Sequence, residues 1–380
     1  MLRNSAFIMI AATVALLSLG LVMLTSVSAF APANQGNAAH FITRQSIWLV
    51  LGVIACLIAS SVDYHFWLKY RWWLVGGSIV LMLLCFVPGI GLKIKGAHRW
   101  LDLGIMRLQP MEPFKISVVI MLSAWLGQYQ HKIESWKYGF AYPMLVVCAL
   151  LVLCVLQRDL GSTALIFTIA FIMMFVAGTR LRYLAPLPLA GFFGILTLAI
   201  ASPQKRDRIL AFLNPEEHIT GAGWQLHNAL VAFGSGGVSG RGLGNSIQKM
   251  KWLPESHTDF IFPIVGEELG LTFSLAVVLC FLLLCLSAGI ISCHAPEPQG
   301  VYLGIGLTSL VGLQAIMNIA VVTGLMPTKG IGLPFISYGG SNLMLCMFCV
   351  GTLLNIHRHA VYSTRRERRG HLPPVIPERL

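Results

Sequence analysis

A long apolar run spans residues 260–292 and reads FIFPIVGEELGLTFSLAVVLCFLLLCLSAGIIS. A helix needs about 20 mostly apolar residues to cross a bilayer, and this run is longer than that. It is long enough to tilt, or to begin as a helix outside the hydrocarbon. Glu267 and Glu268 interrupt it, and ionisable residues at membrane depth are costly and often functional. The stretch therefore predicts a membrane-spanning helix that carries two buried acidic groups.

The rest of the chain repeats this pattern. Only 11% of the 380 residues are charged and 56% are hydrophobic, whereas a soluble domain has about 25% charged residues. Similar runs lie near 6–29, 46–62, 72–89, 114–129, 139–157, 161–178, 183–202, 301–325 and 340–356. We predict an all-α polytopic membrane protein with about ten transmembrane helices and a large extracytoplasmic loop, 203–258, between helices 7 and 8. Residues 1–362 then form a single membrane domain, and 363–380 a basic cytoplasmic tail.

The basic residues set the predicted orientation. Cytoplasmic connections are rich in Lys and Arg, so the tail with Arg365 and Arg366 should lie inside, and an even helix count places the N-terminus inside too. Two external connections, 90–113 and 203–258, are nevertheless basic. With a net charge of +12, anionic lipids or phosphorylated substrates are the predicted partners, and nucleic acid is not. Apolar residues at near-helical spacing in 203–258 predict short amphipathic helices at the outer interface.

Cofactor motifs are scarce. The nine cysteines lie in apolar runs or just beyond one and show no metal-ligand spacing, which is typical of small hydrophobic residues inside helices. The glycine-rich run 240–244 follows no strand, so it does not predict a nucleotide site. Its glycines instead suit a close approach of backbone to backbone or to a ligand.

Two polar clusters mark the candidate site. Glu112 and Lys115 are three apart and share a helix face, so they form either an ion pair that buries two charges or one wall of a substrate cavity. Thr258 and Asp259 precede the 260–292 run, where either would suit a helix N-cap. Alternatively, Asp259 is a carboxylate at the outer boundary that serves as general base or metal ligand.

Two further acidic sites favour structural roles. Glu267 and Glu268 suit partners for buried backbone or Arg groups. Arg158 and Asp159 form a short external link, where a local pair plus a helix cap is the expected arrangement.

Several motifs carry a family resemblance. They are Lys95–Gly104 (KGAHRWLDLG), Gln109–Lys115 (QPMEPFK), Asp159–Gly161 (DLG), Gly234–Ser246, Gln248–Gly270 with LPESHTDF, Pro327–Pro334 (PTKGIGLP) and Ser337–Ser341 (SYGGS). Together they resemble the SEDS family of peptidoglycan glycosyltransferases over nearly the whole membrane region. The match is greatest to the FtsW branch, which acts in cell division, and next to the RodA branch.

The resemblance implies a function. It implies a bacterial inner-membrane enzyme at the division septum that polymerises lipid II into glycan strands, with inversion and release of undecaprenyl pyrophosphate. Its implied partners are a class B penicillin-binding protein of the FtsI type and other divisome membrane proteins. A lipid II flippase or transporter and a non-catalytic division scaffold are the alternatives. The polar residues gather towards one face, which favours the enzyme.

The resemblance also implies site residues. Asp259 is the implied general base, and a divalent cation (Mg²⁺ or Mn²⁺) with Asp259 as a candidate ligand is left open, without a nucleotide. Substrate-binding residues would be Lys115, Glu112, Arg99, Lys95, Gln225, His257 and Lys329. The chain departs from the family pattern at Met111, Pro113, Arg158, Ala229 and Pro263, and the family usually has Pro where Arg158 stands.

Overall fold

The structure, a computed structural model, describes residues 2–28, 40–94, 96–102, 104, 107–214, 217–219, 221, 223–250 and 252–368. Its helices are α1 Leu2–Ser28, α2 His40–Ser61, α3 Tyr64–Lys69, α4 Arg71–Leu84, α5 Met111–Gln128, α6 Tyr142–Leu156, α7 Leu160–Val176, α8 Leu181–Leu184, α9 Pro186–Ile200, α10 Pro203–Leu213, α11 Trp224–Gly236, α12 Ile261–Cys293, α13 Pro298–Val322 and α14 Gly340–Arg368. A short 3₁₀ turn, Gln130–Lys132, and a π-helical turn, Trp136–Ala141, precede α6.

Most of these helices are suited to a bilayer. Seven stretches of described residues are helical, long and apolar enough to cross a membrane, and α4 and α7 are shorter apolar helices. Each predicted span coincides with one of the helices, and the fold class of a helical, polytopic membrane protein is confirmed. The count of ten crossing helices stays a prediction. Helix α14 continues to Arg368, so the predicted start of a separate tail at residue 363 lies inside a helix.

The basic connection after α4 contains a small sheet, which the sequence pattern does not predict. Strands β1 Gly91–Ile94, β2 Ala97–Asp102 and β3 Arg107–Leu108 form it in antiparallel order. The second basic connection contains α10 and α11, as its helical spacing predicts.

The helices pack in a few long pairs. α14 lies along α2, α1 along α12, and α13 contacts both α12 and α5. The α2–α14 pair approaches closely at Gly351, where an added Cβ would lie 2.3 Å from the carbonyl oxygen of Cys56. Small residues at such crossings increase van der Waals contact, which is the main attraction between helices in lipid.

One end of the bundle is held by a histidine. His65 Nδ1 lies 2.6 Å from Asp63 Oδ1, and its Nε2 lies 2.8 Å from Glu297 Oε2, just before α13. The hydrogen bond to Glu297 is the largest effect on the pKa of His65 and raises it; burial opposes this, and the hydrogen bond to Asp63 and the charges of both carboxylates add to the rise, which brings the pKa to about 9. The ring is therefore charged at neutral pH and joins α3 to the start of α13.

At the other end of the bundle, the glycine-rich segment 236–250 wraps around α12. Glu267 is fully buried and accepts backbone hydrogen bonds from Ile247 (3.0 Å) and Gln248 (3.2 Å), together with one from the Ser246 hydroxyl. The carboxylate thus satisfies amide groups that have no ladder or helix partner. The prediction that Glu267 is a partner for buried backbone is confirmed.

Glu268 fills the adjacent position. Its oxygens accept hydrogen bonds from Lys249 Nζ (2.7 Å), Ser26 Oγ (2.6 Å) and the Gly244 amide (3.0 Å). Both side chains of the Lys249–Glu268 pair are fully buried. The cation that pairs with Glu268 is therefore a lysine, whereas arginine was one of the predicted partners. Because Ser26 of α1 bonds both members of the pair, the pair also joins segment 236–250 to α1.

Helix α12 breaks where this segment contacts it. Gly270 has φ +78° and ψ −174° inside the helix. The Leu271 amide donates to the Gly237 carbonyl (2.9 Å) rather than within α12. An added Cβ on Gly270 would lie 2.4 Å from Gly240 N, so only glycine fits this crossing. The glycine-rich run thus serves close backbone packing.

Replacing Lys249 with Met should destabilise the protein strongly. The substitution leaves Glu268 charged, buried and without its cation, which costs about 3–5 kcal/mol. Thermal unfolding in detergent micelles measures the loss. Lys137→Met, at an exposed lysine, is the matched control and should leave the unfolding midpoint unchanged. The double variant Lys249→Met/Glu268→Gln should recover part of the loss, and no recovery would contradict the ion-pair explanation.

Candidate functional site

Asp259 lies in the turn immediately before α12 and is half-buried. The N-cap residue of α12 is Phe260, whose side chain makes no capping hydrogen bond. The Thr258 hydroxyl instead donates to Glu255 Oε2 at 2.9 Å. Neither Thr258 nor Asp259 is the N-cap residue of α12, so that prediction is wrong, and the chemical role of the Asp259 carboxylate stays a prediction.

The backbone that carries Asp259 is held by the α13–α14 link, residues 323–339. Ser337 Oγ donates to the Thr258 carbonyl at 2.6 Å, and the Tyr338 amide donates to the His257 carbonyl at 2.9 Å. The same Ser337 hydroxyl accepts from the Leu333 amide at 2.7 Å. An irregular turn and an irregular link thus satisfy each other's polar groups.

Asn318, on the last turns of α13, makes the second attachment. It is 1% exposed, and its Nδ2 donates to the Asp259 carbonyl (2.8 Å) and to the Ile331 carbonyl (2.7 Å). One amide therefore sets the spacing between Asp259 and the link. Gly330 lies directly against the carboxylate, since an added Cβ there would be 3.2 Å from Asp259 Oδ2.

His257 belongs to an aromatic group at the start of α2. Its ring stacks on Phe41 with centroids 4.5 Å apart, and Phe41 meets Tyr338 edge-on at 4.8 Å. Burial raises the pKa of Tyr338, and Arg44 opposes this with its charge and a side-chain hydrogen bond. Sequence reasoning missed Phe41 and Arg44, because Phe-Ile-Thr-Arg at a helix start carries no distinctive signal.

The Glu112–Lys115 pair lies in the first turn of α5. Glu112 Oε1 and Lys115 Nζ are 2.9 Å apart, with side chains 7% and 3% exposed. Glu112 Oε2 is buried and has no hydrogen-bond partner among the described residues. The ion pair is confirmed, while its role as a cavity wall stays a prediction. Pro113 causes no break, since first-turn amides have no intrahelical partner.

Arg99, on β2, binds the end of α6. Its Nε donates to the Gln157 carbonyl (3.1 Å) and its Nη2 to the Arg158 carbonyl (2.7 Å). Asp159 caps α7, accepting from the Ser162 amide (3.1 Å) and hydroxyl (2.9 Å). The predicted cap is confirmed, and Asp159 is held by Ser162 rather than by Arg158.

The remaining predicted residues differ in how they are placed. Lys329 lies in the α13–α14 link, where burial lowers its pKa and the charge of Asp159 opposes that shift. Gln225 is half-buried in the first turn of α11, and its role stays a prediction. Lys95 lies outside the described residues. Lys329 is therefore part of the α13–α14 link, and His257 and Asp259 lie against that link.

The same link contacts the other parts of the site. The Gln109 amide, just before α5, donates to Ser341 Oγ (3.1 Å), and an added Cβ on Gly161 would lie 3.1 Å from the Ile331 side chain. Asp259, the start of α5 and the start of α7 thus meet around residues 323–341. Among the described residues, no group of three His, Cys, Asp or Glu is placed to hold a metal ion.

Helices long enough to cross a membrane, arranged around a polar site at their ends, define a polytopic membrane protein. A family model for cell cycle proteins of the FtsW, RodA and SpoVE type matches residues 7–362, and the chain belongs to this family.

Relatives match over most of their lengths. The chain is 42% identical over 344 residues to a Geobacter metallireducens protein named "Probable peptidoglycan glycosyltransferase FtsW", covering 90% of this chain and 92% of the relative. It is 37% identical over 351 residues to stage V sporulation protein E of Bacillus subtilis, covering 92% and 96%.

Solved structures share the fold. The rod shape determining protein RodA of Thermus thermophilus superposes with a TM-score of 0.69 at 25% identity, covering 92% of this chain and 95% of that chain. A chain of a peptidoglycan synthase complex superposes with a TM-score of 0.72 at 24% identity, covering 93% and 97%.

Replacing Asn318 with Ala should loosen the turn that carries Asp259. The change removes two hydrogen bonds and leaves two carbonyls without this donor, at about 1–3 kcal/mol each. Hydrogen exchange of residues 323–339 should speed up. Thr323→Ala, which removes only hydrogen bonds within the same helix, is the control. Equal exchange in both variants would show that Asn318 does not hold the link.

Proposed function

We propose that this protein is a peptidoglycan glycosyltransferase that polymerises lipid II into glycan strands during septal wall synthesis. The observation that carries the proposal is the placement of Asp259. Asn318 and Ser337 fix the backbone around it, and its half-buried carboxylate lies against Gly330 of the α13–α14 link. The names of the relatives support the same reaction class.

The proposed reaction is a single inverting displacement. The 4-hydroxyl of one sugar attacks the anomeric carbon of another, and Asp259 takes the hydroxyl proton as general base. The bond between that carbon and the diphosphate oxygen breaks, and its electron pair leaves with undecaprenyl pyrophosphate. Because negative charge develops on the leaving group, nearby cations stabilise the transition state. Arg99, Lys115 and Lys329 are the proposed cations, with Glu112, Gln225 and His257 as positioning groups.

A divalent cation at Asp259 is also proposed. Asp259 would supply one carboxylate, and substrate phosphates would supply further ligands, which is how Mg²⁺ is commonly held. The cation would neutralise charge on the diphosphate.

Family membership supports a proposal for the cellular setting. We propose the bacterial inner membrane at the division septum, with both termini in the cytoplasm. A class B penicillin-binding protein of the FtsI type is the proposed partner, together with other divisome membrane proteins. The likeness to a chain of a peptidoglycan synthase complex supports a partner of this kind.

Replacing Asp259 with Asn should reduce polymerisation of labelled lipid II in detergent by about 10²–10⁴-fold, because the amide cannot accept the proton. Gel separation of glycan products measures it. Asp207→Asn, at an exposed carboxylate on α10, is the matched control and should retain activity. Full activity of Asp259→Asn would exclude the base assignment. Transfer of lipid II across vesicles without polymerisation by the wild type would favour the flippase alternative.

Variants of the buried pair separate structure from chemistry. Lys115→Ala should slow turnover by about 10²-fold if the ammonium stabilises the leaving group. The same change also leaves Glu112 buried without its cation, so it is compared with Glu112→Gln/Lys115→Met, which removes both charges. The double variant should unfold near the wild-type temperature yet stay slow. Recovery of turnover in the double variant would show that the pair is only structural.

A further inference from the structure

A group of basic residues beside the site has no part in the proposed displacement. Arg158 lies between α6 and α7 with an exposed side chain, and α10 supplies Lys205 and Arg208. Arg99 connects to this group through its 2.7 Å hydrogen bond to the Arg158 carbonyl. Arg208 Nη1 lies 3.4 Å from the Thr328 carbonyl, next to Lys329. Three separate elements and the α13–α14 link therefore bring cations to one place.

The pKa of Lys205 is affected by the other charges of this group. Burial lowers its pKa most, followed by the positive charge of Arg99, and Arg158 and Arg208 lower it further, while Asp159 opposes them. The Asp159 carboxylate is already bound by the Ser162 amide and hydroxyl. Like charges held together in this way repel one another and gain from an anion bound between them.

Helix α10 also offers apolar surface. Leu210 and Leu213 are three apart and are 42% and 64% exposed, on the helix that carries Lys205 and Arg208. Side chains at this spacing share a helix face. A short helix with cations and exposed leucines suits a ligand with a multiply charged head and a hydrocarbon tail.

Arg158 also has an uncommon backbone conformation. Its backbone has φ +60°, a left-handed conformation that proline, with φ fixed near −65°, cannot adopt. The usual Pro at this position would supply neither this backbone nor a charge. Left-handed non-glycine residues cluster at functional sites, because their strain persists only where surrounding structure imposes it.

We propose that Arg158, Lys205 and Arg208 form, with Arg99, a clamp that binds the diphosphate of the lipid-linked substrate and of its prenyl leaving group. This inference rests on the proposed function. The diphosphate gains charge when the sugar bond breaks, so the clamp binds the leaving group more tightly than the intact substrate and favours the transition state. Arg158, Lys205 and Arg208 thereby become further substrate-binding residues, provided by an external helix and by the α6–α7 link.

The test measures binding without turnover. Purified full-length protein in detergent is titrated with undecaprenyl diphosphate, undecaprenyl monophosphate, inorganic pyrophosphate and phosphatidylglycerol, and bound ligand is counted by native mass spectrometry. The variants are Arg158→Asn, which tolerates the left-handed backbone, Lys205→Gln, Arg208→Gln and the triple combination. Arg206→Gln, at an exposed arginine on the same helix, is the matched control.

We expect each clamp variant to weaken the binding of undecaprenyl diphosphate about tenfold, since each removes one charge-assisted contact to the diphosphate. In the clamp variants, binding of undecaprenyl monophosphate should fall less, and binding of phosphatidylglycerol should not change. The control variant Arg206→Gln should bind undecaprenyl diphosphate as tightly as the wild type. Unchanged diphosphate affinity in all clamp variants would overturn the proposal. An equal loss for phosphatidylglycerol would also overturn it and indicate a general patch for anionic lipid headgroups.

Two controls keep the inference separate from the proposed function. Unfolding temperatures show whether each variant is folded, and the single variants replace the triple one if it is not. Wild-type polymerisation of lipid II is measured in parallel. If the wild type does not polymerise but the clamp variants lose diphosphate binding, the polymerase function fails and the clamp stands. If the wild type polymerises and the variants bind as it does, only the clamp fails.

Discussion

The site depends on one constraint, which is that the irregular α13–α14 link, residues 323–339, must satisfy its backbone polar groups away from bulk water. Non-helical backbone near membrane depth is tolerated only where protein or an aqueous cavity supplies hydrogen bonds. Here side chains supply them: Asn318 to Ile331, Gln314 to Gly332, and Gln45 to the carbonyl of Ser337. The side chains that satisfy the backbone of the link also position Asp259. The folding of the link and the geometry of the site therefore depend on the same hydrogen bonds.

A second constraint comes from burying two adjacent carboxylates. Glu267 and Glu268 would be expensive in α12 unless fully paired. Segment 236–250 supplies hydrogen bonds to both carboxylates from backbone amides, a serine hydroxyl and Lys249. A glycine-rich segment forms a concave array of N–H groups that favours anions. In this protein Glu267 and Glu268 occupy the array, and their hydrogen bonds attach segment 236–250 to α12 and, through Ser26, to α1.

Backbone strain is concentrated around the same region. The non-glycine residues with positive φ among those described are Arg158, Glu255 and Phe335. Glu255 lies four residues before Asp259, and Phe335 lies in the α13–α14 link. Helix α12 in contrast is broken only at Gly270. Strained residues persist where tertiary contacts determine the backbone. Their distribution fits a site that is set by connections between rigid helices, with the bundle as the support.

The sequence by itself determined the helical membrane class, the helix positions and the pairing of Glu112 with Lys115, because apolar length and i,i+3 spacing are local properties. It could not decide which residue is the N-cap of α12 or which cation neutralises Glu268. It also gave no sign that Arg44, Lys205 and Arg208 lie beside the site. Each of these depends on residues far apart in the chain. Only tertiary packing brings the α13–α14 link, the start of α2 and helix α10 together, since a short-range pattern carries no information about which distant polar group satisfies a buried one.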